Sequence, residues 1–342
     1  MIFFFSKLPG QFGLFLIGTL LTAMAPLRAQ QENQNAPAQA QLKVRVELVH
    51  VGVSVTDARG NPASELTKAN FRILDDGAGQ PITYFASIEA PAQVLVLVET
   101  SPAVYLIHTQ HLAAANALLD GLAPDDEVAL ASYDESPRAI LALTSDKAAL
   151  ASALGDLHYI LGMGELNLFG SLSTALDWLA PVSGKKALVL LSTGLDSGPS
   201  GRWDELQTKL RASEVTIFPV ALGGELRAAK PKNKKKPQPQ PLPGGDDLSF
   251  AQADKVLEQL AEITGGRAYF PHGGGEFAAI YRQIAATLRH QYLIGFEPSA
   301  RDGRFHTITV QVLDQAGLPL ATAGPKAEYR IFARQGYEAP SH

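Results

Sequence analysis

The period of apolar positions changes twice along this chain. From Leu42 to about Ala90, apolar residues alternate with others, as in Val51-Gly52-Val53-Ser54-Val55, the pattern of strands with one face covered. From about Gln93 to His290, continuous apolar runs of strand length are separated by stretches in which apolar residues recur every three or four positions. The runs predict strands at Val94–Val98, Glu127–Tyr133, Ala139–Leu143, Ala187–Ser192, Thr216–Leu222 and Ala268–Phe270. The stretches predict helices at Tyr105–Gly121, Lys147–Leu157, Leu172–Ala180, Trp203–Ala212, Ala251–Thr264 and Glu276–Arg289. After Gln291 the strand pattern returns, at Tyr292–Phe296, Thr307–Val312 and Glu328–Ala333.

Runs without alternation belong to strands covered on both faces, so those at 94–98, 187–191 and 217–222 predict the centre of a mostly parallel, doubly wound sheet. Ala139–Leu143 follows its predecessor after a short turn, which predicts an antiparallel edge strand. Thr144-Ser145-Asp146 supplies helix caps, and Gly121, Gly265 and Gly266 stand where helices should stop. The two flanking blocks are each too short for a comfortable β-domain. They are expected to pack together as one composite module, because chain ends often lie close in space. The fold class is therefore α/β, a doubly wound, mostly parallel sheet with a small β-module formed by the N- and C-terminal flanks.

The first 29 residues stand apart from that fold. Lys7 precedes a mostly apolar run, Phe12 to Leu21, that is short of a membrane span, and Leu27-Arg28-Ala29 offers a cleavage point. This predicts a secretory signal peptide over 1–29, export to the periplasm or beyond, and no transmembrane span after cleavage. A Gln/Asn/Ala/Pro-rich tether, 30–41, follows. The remaining boundaries are an N-terminal β-module at 42–90, an α/β domain at 91–290 and a C-terminal β segment at 291–342. There is no cysteine, which removes disulfides, thiol chemistry and lipid attachment at a cysteine. A net charge of −5 argues against nucleic acid as a partner. One Lys/Pro-rich insertion, 226–247, is expected to be a solvated arm, with Lys230, Lys232, Lys234, Lys235 and Lys236 open to an anionic contact.

Candidate chemistry concentrates where the first central run ends, at Val98-Glu99-Thr100-Ser101-Pro102-Ala103. Ligands of open α/β sheets collect at the carboxyl ends of strands, and a carboxylate followed by hydroxyls is suited to a hard cation such as Mg²⁺. Other constellations are weaker. His108 and His111 share a predicted helix face but lack a third zinc ligand. Gly273-Gly274-Gly275 lacks the Gly-Lys-Ser/Thr of a phosphate loop. Ser101 between strand and helix invites a hydrolase reading without the Gly-x-Ser-x-Gly context.

The order of elements resembles a von Willebrand factor type A domain, and more closely the exported bacterial VWFA-related family. The phrases that carry the resemblance are Val53-Ser54-Val55-Thr56-Asp57-Ala58-Arg59-Gly60, Leu66-Thr67-Lys68-Ala69-Asn70-Phe71, Lys186 to Ser192, Tyr292 to Phe296 and Ala333 to Tyr337. The family's metal site takes Asp-x-Ser-x-Ser, a loop Thr and a later Asp. By position these fall on Glu99, Ser101, Ala103, Leu166 and Thr193, of which only Ser101 keeps its residue type. The resemblance thus implies a degenerate site and a non-enzymatic binding or adhesion module that works without a metal cofactor. Two alternatives stay open. One is Mg²⁺- or Mn²⁺-dependent adhesion through a rearranged set, Glu99, Ser101 and Asp196; the other is a serine hydrolase at Ser101.

The stretch Tyr159 to Phe169 is unusually apolar for a loop, and it is expected on the same rim as Glu99. Exposed apolar patches mark partner surfaces. Tyr133, Met163, Leu166, Phe169 and Thr193 are accordingly the expected contacts with a protein or cell-envelope ligand.

Overall fold

Strand β1 (Val49–Asp57) shows how the two flanks of the sequence combine. It pairs antiparallel with both β10 (Gln291–Phe296) and β12 (Tyr329–Ala333), and β4 (Tyr84–Ile88) joins the far side of β10. A second antiparallel sheet runs β13-β11-β2-β3, from β13 (Gly336–Glu338), β11 (Phe305–Val312), β2 (Phe71–Asp75) and β3 (Ala78–Gln80). Alternate residues of both sheets, among them Val51, Val53, Val55, Phe71, Ile73, Tyr292, Ile294, Phe296 and Val312, share one core. Neither flank has a complete sheet without the other. The computed structural model describes residues 48–101, 104, 118–159, 165–198, 202–224, 250–322 and 327–341, which form one compact unit.

Between the flanks lies a five-stranded sheet, β7-β6-β5-β8-β9. β5 (Ala92–Glu99) is central and parallel to β6 (Glu127–Tyr133) and β8 (Lys185–Ser192), with β9 (Thr216–Ala221) parallel to β8. β7 (Pro137–Thr144) is the antiparallel edge, as its short turn predicted. Successive residues of β5 feed opposite cores: Val94, Val96 and Val98 join one, Leu95 and Leu97 the other. The helices follow the spacing of apolar residues closely: α1 (Lys147–Gly155), α2 (Leu168–Leu179), α3 (Arg202–Ala212), α4 (Phe250–Thr264) and α5 (Phe277–Arg289). α1 is capped by Asp146, whose carboxyl accepts from the Ala148 and Ala149 N–H groups.

Two elements differ from the sequence reading. Ala268–Phe270 is not a sixth strand but a single parallel bridge between Tyr269 and Val220, since Pro271 has no N–H to extend the ladder. α2 begins at Leu168, four residues before the predicted Leu172, because Asn167 caps it through the Gly170 N–H. The apolar Leu168 and Phe169 are therefore the first turn of a helix rather than loop.

The segments read from the sequence as a leader (1–29) and a tether (30–41), most of the helix predicted at Tyr105–Gly121 with His108 and His111, Ala103, Met163 and the insertion with Lys230, Lys232, Lys234, Lys235 and Lys236 lie outside the described residues. Among the described residues, no helix is long and apolar enough to cross a membrane.

Candidate functional site

At the carboxyl end of β5 the chain leaves the sheet through Glu99, Thr100 and Ser101. All three are buried, with Glu99 at 0% exposure. A carboxyl group buried this way needs hydrogen-bond donors, and the neighbouring strand ends provide them. Ser101 Oγ donates to Glu99 Oε1 at 2.6 Å. The Thr193 N–H donates to Oε2 at 2.6 Å, and Thr193 Oγ1 lies 3.1 and 2.9 Å from the two oxygens. Ser192 Oγ and Tyr133 Oη approach Oε2 at 3.1 and 3.2 Å, and lie 2.6 Å from each other. Parallel pairing of β6 and β8 to β5 brings these groups together, since it places Tyr133 beside Glu99 in register and Leu191 beside Val98.

Burial and then the neighbouring Glu99 push the Tyr133 phenol far above its ordinary range, so it remains protonated as a donor. Gly194 turns the chain at φ 76°, and its N–H donates to Ser192 Oγ at 2.8 Å. One carboxyl group serves donors from three strand ends.

Asp196 does other work. Its Oδ1 accepts from the Phe169 N–H at 3.1 Å in the first turn of α2, and Oδ2 accepts from the Gly198 N–H at 2.9 Å. An acidic side chain at a helix N-terminus is favoured by the unpaired amides and the helix dipole. Among the described residues, neither Glu99 nor Asp196 belongs to a convergent group of three His, Asp or Glu side chains. Ser101 donates to Glu99, and among the described residues no imidazole is paired with it.

The partner-surface residues also need correction. Tyr133 and Thr193, expected as rim contacts, point inward at 0% and 1% exposure, because both satisfy Glu99. Leu166 and Phe169 remain half-buried on the rim. Leu166 is pinned through its backbone to Ser197, with N–H to Oγ at 2.7 Å and the Ser197 N–H returning to the Leu166 carbonyl at 2.7 Å. Phe169 leans on Trp203, ring centroids 5.2 Å apart.

Sequence reasoning missed the residues that fasten these loops to one another. Asn167 accepts from Arg202 Nη1 at 2.8 Å and donates to the Glu135 carbonyl at 3.1 Å. Asp134, almost fully buried, is paired with Arg138, whose Nη1 lies 2.9 Å from Oδ1. An Asp–Arg pair four residues apart across a turn was the available signal. Burial alone would raise the Asp134 pKa, but the Arg138 guanidinium and the Ser136 and Glu135 amides outweigh it and hold the carboxyl below its ordinary value. A depressed folded-state value contributes stability above the unfolded value, and that stability is lost as pH falls through the folded one. Asp134→Asn is therefore expected to cost about 1–2 kcal/mol in denaturant melts at neutral pH, with Arg138 half exposed. The cost should shrink as pH falls below about 4, where the carboxyl of the unfolded chain takes up a proton, and vanish once pH has fallen through the lower folded-state value.

No family model matches the sequence, and no curated protein does. Solved structures do match. A von Willebrand factor type A protein from Catenulispora acidiphila is 13% identical with a TM-score of 0.45, over 80% of this chain and 72% of that one. BatB from Bacteroides thetaiotaomicron is 15% identical with a TM-score of 0.40, over 58% and 98%. The vWF domain of the type V pili tip protein Mfa5 from Porphyromonas gingivalis is 21% identical with a TM-score of 0.29, over 32% and 40%. The structural neighbours of this chain are thus von Willebrand factor type A domain proteins, at low sequence identity.

Proposed function

We propose that this chain is an exported, non-enzymatic protein-binding module that engages a protein or cell-envelope ligand through the rim at the carboxyl ends of β5, β6 and β8, without a metal. The carrying observation is the Glu99 cluster. The side chain that holds the first position of the metal motif has both oxygens already bonded to Ser101, Thr193, Ser192 and Tyr133. Mg²⁺ requires near-octahedral oxygen ligation and gives up water reluctantly, so it would have to break this network to bind. Asn167, Ser197 and Arg202 fasten the described parts of the rim to one another, and Leu166, Phe169 and Trp203 give it apolar area. Fixed surfaces with half-buried apolar groups lose little entropy on binding.

Titration of the purified chain with Mg²⁺ to millimolar concentration is expected to give no saturable heat and no rise in melting temperature, as linkage would demand of a bound ion. Binding of the chain to solubilised bacterial envelope proteins should survive chelator. It should weaken at least about tenfold on Leu166→Asp, the loss expected when an interface contact worth about 1.4 kcal/mol is removed. Binding that disappears with chelator and returns with Mg²⁺ would instead establish the rearranged metal site of Glu99, Ser101 and Asp196.

A further inference from the structure

The β-module holds the one grouping, among the described residues, of histidine and carboxyl side chains with converging ligand atoms. Asp75 ends β2, Asp76 follows in the turn at φ 47°, and His306 stands on β11, the strand paired with β2. His306 Nδ1 lies 3.2 Å from Asp75 Oδ1 and 3.0 Å from Asp76 Oδ2. An imidazole nitrogen offers at most one proton, yet two carboxyl oxygens from different residues close on it. These separations are near the edge of a coordination tetrahedron, since two ligands at zinc distances of about 2.0–2.1 Å lie about 3.3 Å apart.

Groups outside the trio hold the remaining atom of each ligand. Ser299 Oγ and Tyr337 Oη donate to Asp75 Oδ2 at 2.5 and 2.9 Å. The Thr307 N–H and Oγ1 donate to Asp76 Oδ1 at 2.8 and 2.7 Å. His306 Nε2 faces Asp302 Oδ1 at 3.2 Å. A carboxylate on the far nitrogen fixes the tautomer that leaves the near nitrogen's lone pair free, which is the usual outer shell of a metal-bound histidine. Asp75 is buried, whereas Asp76 is exposed, so an ion could enter and keep water in an open position.

We propose that Asp75, Asp76 and His306 bind a divalent transition cation, with Asp302 orienting the imidazole. An imidazole ligand among carboxylates favours zinc-like ions over Mg²⁺ or Ca²⁺. Such an ion would staple β2, from the N-terminal flank, to β11, from the C-terminal flank.

The test is titration of the chelator-treated full chain with Zn²⁺, by calorimetry and by competition with a chromophoric chelator. One Zn²⁺ per chain is expected, with a raised melting temperature. His306→Gln should abolish binding, and Asp302→Asn should weaken it about 10–100-fold as an outer-shell change. Asp76→Asn is the variant safest for folding, because Asn tolerates the left-handed backbone. It should lower affinity at least about tenfold while the zinc-free melting temperature holds. Asp314→Asn, a half-buried turn carboxylate of the same module, should leave binding unchanged. Absence of saturable binding, or equal affinity in wild type, His306→Gln and Asp76→Asn, would overturn the proposal and leave an ion-paired imidazole.

Discussion

Glu99→Ala is expected to destabilise the protein by about 3–5 kcal/mol in metal-free buffer, measured by denaturant unfolding. The substitution removes the common acceptor for Ser101, Ser192, Thr193 and Tyr133, all buried at the end of the central strands. Each donor left unsatisfied costs about 1–3 kcal/mol, although the Tyr133 and Ser192 hydroxyls retain each other. Glu99→Gln keeps the shape but turns one acceptor into a donor facing donors, and should lose about 1–2 kcal/mol. The sign separates two accounts of the site. A carboxylate held apart for an absent cation would be relieved by its removal, and stability would stay level or rise. A carboxyl that is itself the centre of the network makes the domain weaker when it goes.

Gly266→Ala is expected to cost about 3 kcal/mol or more, enough to lower soluble yield and the melting temperature together. A Cβ built at Gly266 would fall 1.8 Å from the Ile217 carbonyl oxygen, which is backbone of β9 and has nowhere to retreat within the sheet. The preceding Gly265, at φ 76°, ends α4, and a side chain there would meet the backbone of Ala333 and Arg334. The pair thus serves two purposes. Gly265 lets the helix stop, and Gly266 lets the chain pass close enough to β9 for Tyr269 to bridge Val220. Unchanged stability in Gly266→Ala would mean that the segment after α4 moves away from β9 easily.

Local signals made most of the scaffold legible. The unbroken runs in β5, β8 and β9 announced strands covered on both faces, because such strands have no polar side to mark. Asp146 announced the start of α1, and the short turn before β7 announced its antiparallel direction. Asn167 carried an equally good cap signal, but the apolar Leu168-Phe169 after it resembled a sticky loop as much as the buried first turn of a helix. β3 and β13, three residues each, lie below the length at which periodicity has meaning.

The candidate site divides along the same line. That Glu99 and Ser101 stand at a strand end, and that Ala103, Leu166 and Thr193 offer poor ligands by position, follows from the linear order of residue types. The direction of each side chain does not. Tyr133 resembled a surface anchor because an aromatic residue beside a rim can face either way, and register with Glu99 turned it inward. Asp196 has the chemistry of a spare metal ligand, but it lies beside the start of α2 and accepts from the Phe169 N–H there. The pairing of Asp75 and Asp76 with His306 joins residues more than two hundred positions apart, and nothing local relates them. By itself the sequence determined most of the longer elements, their order and the chemical groups at each strand end, because these depend on neighbours along the chain. Tertiary structure alone decided which groups meet and which are left facing solvent, because sheet register and helix starts bring distant residues within hydrogen-bond reach.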